Sequence, residues 1–95
     1  MDALHLIGYL AAICTTCAFL PQALKVLKTG DTHSLSLMMY IIFSTGVALW
    51  LIYGLLKKDL PIIAANTVTL VFALLILSVI IRNRLRKTAQ AAQLD

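Results

Sequence analysis

The sequence predicts an all-α membrane protein, a single bundle of three transmembrane helices, and three observations carry that reading. Of the 95 residues, 61% are hydrophobic and only 13% charged, whereas soluble domains are roughly half apolar and about a quarter charged. The charges avoid the apolar stretches, leaving three charge-free runs, Ala3 to Leu24, Thr32 to Leu56 and Leu60 to Ile81, of 22, 25 and 22 residues. Each run reaches the ~20 residues that a helix needs to cross a ~30 Å hydrocarbon core. A water-soluble globule is excluded, and so much of the chain lies in spans that no soluble catalytic domain fits beside them. The protein is therefore not expected to be an enzyme. The sequence contains no phosphate loop, no hydrolase or nuclease constellation and no cluster with metal-ligand spacing, so neither cofactor nor metal is expected.

The first span is expected over about residues 3–27. It lacks a basic leading segment and exceeds the ~7 to 15 apolar residues of a signal peptide, so it is expected to remain as a membrane helix. Pro21, followed by Gln22, lies six residues before Leu27, or ~9 Å from that end of the helix. Proline removes a helical hydrogen bond and clashes with the preceding turn, which bends the helix. Gln22 is placed to satisfy the carbonyl that Pro21 frees. The bend reads equally as static or as a hinge. Gly8, Ala12 and Thr16 recur every fourth residue, a spacing that lets helices approach closely, and Cys14 and Cys17 read as small packing residues.

The second span is expected over about 35–56. Met39, Phe43, Gly46, Trp50 and Tyr53 follow at steps of 4, 3, 4 and 3, which places them on one helical face. Such a stripe is either plain packing or the lining of a path. Trp50 sits ~9 Å inside Leu56, deeper than the interfacial belt usual for membrane tryptophans.

The third span is expected over about 60–81. Pro61 suits the first turn of a helix, and Asp59 suits its cap. Asn66 lies six residues in from Leu60, at the same depth as Trp50. An intramembrane amide is either glue between helices or a substrate contact. The domain is expected to cover 1–87, followed by a polar tail at 88–95.

The basic residues orient the bundle. Lys25, Lys28, Arg82, Arg84, Arg86 and Lys87 fall on one side and Lys57 and Lys58 on the other, so the positive-inside bias places Met1 outside and Asp95 in the cytoplasm. The pI of about 9.4 is thereby explained by a membrane flank, and nucleic acid is not expected as a partner. Membrane lipid is.

A Trp and an Asn at equal depth suit a sugar, with an aromatic plate for the C–H face of the ring and an amide for its hydroxyls. The three charge-free runs hold no acidic or basic residue, which argues for an uncharged solute and uncoupled passage. Three helices cannot surround a sugar-sized path, so at least two copies are needed. Since both obey the same charge bias, they must be parallel.

Three helices, the Pro21-Gln22 pair, Trp50 and Asn66 together resemble the SemiSWEET family within the PQ-loop superfamily, over Leu4 to Arg82. That resemblance implies a bundle packed in the order first, third, second, and a parallel homodimer in a bacterial inner membrane. It implies facilitative, bidirectional sugar transport by alternating access. It assigns Trp50 and Asn66 to the sugar pocket, Pro21 and Gln22 to a hinge, and Met39, Phe43 and Phe19 to an intracellular gate. Tyr53, Lys57 and Asp59 correspond to an extracellular gate, where Lys57 lacks the planar fork that an arginine would bring. The alternatives are a PQ-loop carrier of another neutral solute such as an amino acid, and a membrane assembly subunit that transports nothing.

Overall fold

Residues 3–94 are described by a computed structural model, and they form three helices: α1 over Ala3–Thr29, α2 over Leu37–Lys57 and α3 over Leu60–Leu94. All three are long and apolar enough to cross a membrane. Both α1 and α2 pack along α3, while their own backbones do not approach each other. The order is therefore 1-3-2, as the resemblance implied. Met1 and Asp95, which the charge pattern placed on opposite sides, lie outside the described residues.

The junctions follow from local chemistry. Gly30 ends α1 with φ 69, a left-handed conformation that glycine adopts without a Cβ clash. Its N–H donates to Val26 O at 2.8 Å. The α1–α2 loop is then tied to α3, because Asn83 Nδ2 donates to Gly30 O at 2.8 Å and to Thr32 Oγ1 at 2.9 Å. Ser36 caps α2 by accepting the Met39 N–H at 3.2 Å, so the helix begins two residues later than the expected span.

At the other end of α2, Lys58 takes φ 55 and closes a Schellman turn, with Asp59 N–H donating to Gly54 O at 2.9 Å. Asp59 in turn accepts the Ile62 N–H on Oδ1 at 3.4 Å, and Pro61 occupies the first turn of α3 as expected. The polar tail continues α3 without a break to Leu94. That is 13 residues beyond Ile81, or ~20 Å.

The buried core is small and lies toward the α1–α2 loop. Ala23 and Val26 of α1, Tyr40 of α2 and Ile76 and Ile80 of α3 meet there. Toward the α2–α3 loop, glycines take over from side-chain interdigitation. Gly8 of α1 faces Pro61, and a Cβ on Gly54 of α2 would lie 2.7 Å from Ile62 Cγ2. The bundle is a slab of 63 × 24 × 14 Å.

Candidate functional site

The second helix presents two different faces. Tyr40, Ser44, Val47 and Gly54 are buried against α3. The stripe of Met39, Phe43, Trp50 and Tyr53 points away from the core: Trp50 is 56% and Met39 53% exposed, against 3% for Tyr40. Within the protomer this stripe is therefore not core packing. Trp50 and Tyr53 stand edge to face at 5.6 Å.

Two clefts flank α3 between its neighbours. One, of about 610 Å³, opens toward the α2–α3 loop and is walled by Gly8, Ala12 and Thr15 of α1 together with Asp59 and Pro61. The other, of about 560 Å³, runs toward the α1–α2 loop past Phe19, Gln22 and Phe43. Trp50 and Asn66 line both, as does Thr15. The two residues singled out for equal depth thus stand where the clefts adjoin.

Asn66 Nδ2 donates to Ile62 O at 2.9 Å, within its own helix. It makes no hydrogen bond to another described helix, so the interhelical-glue reading finds no support in the protomer. One N–H and the carbonyl oxygen remain for a ligand, since a carboxamide carries two donors and an acceptor.

Toward the α1–α2 loop the second cleft meets a set of contacts that joins α1 directly to α2. Phe19 and Phe43 are 5.7 Å apart at their ring centroids. Tyr40 meets Phe43 edge-on at 5.9 Å. The Tyr40 hydroxyl donates to Gln22 Oε1 at 3.1 Å. Each helix supplies two residues three positions apart, which share a face. Gln22 therefore reaches across to α2, where it had been expected to turn back to the carbonyl that Pro21 frees: its side chain leaves α1 on the face toward Tyr40, about 100° around the helix from Pro21. Sequence reasoning missed Tyr40. The signal was a phenol inside an apolar run, which needs a partner when buried, and a single amide in the first span able to be one.

The other gate candidates do not converge within one protomer. Met39 is exposed, and its backbone N–H serves the Ser36 cap. Lys57 ends α2 and makes no ion pair with Asp59 among the described residues, while Asp59 caps α3. No metal-binding cluster occurs among the described residues.

Residues 3–63 match the PQ loop repeat family. The chain is 56% identical over 73 residues to the sugar transporter SemiSWEET of Leptospira biflexa, covering 77% of this chain and 86% of that one. It is 42% identical over 87 residues to the sugar transporter SemiSWEET of Escherichia coli, covering 92% and 98%. The chain belongs to the SemiSWEET family. Its fold agrees with that of a crystal structure of SemiSWEET in the inward-open conformation, at a TM-score of 0.91 and 40% identity over 97% of this chain and 99% of that one. In this SemiSWEET the PQ pair, Pro21-Gln22, lies on the stretch where α1 and α2 are joined by side chains.

Proposed function

We propose that the protein carries sugars across the membrane, as a multi-pass transporter and not an enzyme, and that two parallel copies form the path. The observation that carries this is the position of Trp50 and Asn66 at the junction of two clefts, on a face that the protomer leaves uncovered. A slab 14 Å thick offers walls on one side only. A second copy related by a two-fold axis along the membrane normal supplies the other side and doubles each layer. One sugar then lies between two Trp50 rings and two Asn66 amides.

Passage is facilitative, bidirectional and uncoupled, since the charge-free runs that cross the membrane core hold no carboxylate or cation to bind a driving ion. Access alternates as the Phe19, Phe43 and Met39 layer opens on one side and the Tyr53, Lys57 and Asp59 layer on the other. Pro21 is the hinge for the first of these movements. The membrane is the bacterial inner membrane, with the N-terminus outside and the C-terminus in the cytoplasm.

Liposome uptake of a panel of labelled sugars and amino acids tests this reading. Sugar uptake should proceed without a proton or sodium gradient. Trp50→Ala removes the stacking plate and Asn66→Ala the amide; each interaction contributes about 1 kcal/mol and occurs twice, so a fall in flux of roughly tenfold or more is expected. A dimeric, folded Trp50→Ala protein with normal sugar uptake, or uptake of amino acids alone, would refute the assignment.

A further inference from the structure

We infer that the cleft between the α1–α2 loop and the extension of α3 is a binding site for a phosphate-bearing anion at the membrane surface. Its volume is about 560 Å³, and Arg84, Arg86 and Lys87 line it from α3 with His33 from the loop. Asp31 is the one acidic residue on its wall, and its Oδ1 is engaged by the His33 N–H at 3.0 Å. The wall is held in place before any ligand arrives, because both hydrogen bonds of Asn83 tie the loop to α3.

The helical register explains why the site exists. Ala73, Ile76 and Ile80 are the buried face of α3, and continuing in steps of 3, 4 and 3 leads to Asn83, Lys87 and Gln90. The face that packs against α1 and α2 inside the bundle thus emerges beyond their ends with only the loop beside it. Its chemistry changes there from apolar to basic and amide. Arg84 and Lys87 stand ~4.5 and ~9 Å past Ile81 along the helix, the depth of lipid headgroups. The charge bias that orients a membrane protein asks only for cations somewhere on the flank, and Lys25, Lys28 and Arg82 supply those without lining this cleft. An anionic phospholipid headgroup meets the cleft at the right depth, and a soluble phosphate ester shares its chemistry.

The test uses the full chain in neutral detergent, titrated with dihexanoyl phosphatidylglycerol, dihexanoyl phosphatidylcholine, inorganic phosphate and glucose 6-phosphate. Two double variants remove equal charge: Arg84→Gln with Lys87→Gln in the cleft, and Lys28→Gln with Arg82→Gln outside it. Saturable binding of phosphatidylglycerol should weaken about thirtyfold in the first and less than about threefold in the second. Binding of this lipid without the soluble anions assigns the site to the membrane. Binding of phosphate or glucose 6-phosphate, lost in the first variant alone, assigns it to a soluble ester. Equal weakening in both variants, equal binding of phosphatidylcholine, or no saturable binding of any probe overturns the inference.

Discussion

Ser44 is 6% exposed, and its hydroxyl has no hydrogen-bond partner among the described residues. Several threonine hydroxyls in the spans bond back to their own helix, as Thr45 does to Ile41 O at 2.8 Å and Thr67 to Ile63 O at 2.6 Å. A buried hydroxyl left unpaired costs about 1 to 3 kcal/mol of desolvation without return. Ser44→Ala is therefore expected to raise the thermal stability of the purified protein by roughly 1 kcal/mol, as thermal unfolding followed by circular dichroism would show. A lower midpoint would mean that the hydroxyl has a partner outside the protomer. Tyr40 shows the opposite case, a buried polar group whose demand is met by Gln22. The lone amide of the first span hinted at a partner for Tyr40, but that Ser44 goes unpaired is not visible in sequence, because a serine in an apolar run can bond back to its own helix or face a neighbour.

Among the elements, α2 and α3 approach tightly where Gly54 meets Ile62. A Cβ at Gly54 would stand 2.7 Å from Ile62 Cγ2 and 3.3 Å from Ile63 Cγ1, and the β-branched Ile62 has little rotamer freedom with which to yield. Gly54→Ala should destabilise the bundle by about 1 to 3 kcal/mol. Adding Ile62→Ala should recover part of that loss, a coupling that a double-mutant cycle on thermal stability reads directly.

The first helix invites a functional test at Pro21. The residues after Pro21 carry Gln22 and its bond to Tyr40, while Phe19 lies before it, so bending at this point separates the hydrogen bond from the ring contact. Pro21→Ala restores a backbone N–H and removes the ring clash, so the helix should straighten and the protein fold. If the bend opens the path, this variant keeps dimerisation and sugar binding by calorimetry but loses flux in liposomes. Retention of both would remove the hinge from the mechanism.

For the whole molecule, the prediction concerns orientation. The basic residues crowd the end of the bundle that carries the α1–α2 loop and the α3 extension, while Lys57 and Lys58 stand at the other. In a background without Cys14 and Cys17, both of them exposed free thiols, Lys58→Cys should react with an impermeant thiol reagent added to intact cells. Thr88→Cys should not. The reverse pattern would invert the topology and with it the sidedness of both gates.

The number of helices and roughly where each begins were legible in the sequence because bilayer thickness imposes a length and hydrogen bonding imposes a helix. Charge-free runs, Pro61 after Asp59, and the equal depth of Trp50 and Asn66 are one-dimensional facts, and they translate directly into position along the membrane normal. The azimuth around each helix had to come from tertiary structure. Nearly every residue in these spans is apolar, so hydrophobicity varies too little around the circumference to show which face meets another helix and which is left uncovered. The packing of α3 between α1 and α2 settled that Tyr40 faces inward while Trp50 faces out, that Gln22 reaches across to α2, and that Asn83 holds the loop. Those contacts join residues 18 and 51 or more positions apart, and only the crossing of packed helices brings such positions within hydrogen-bonding distance.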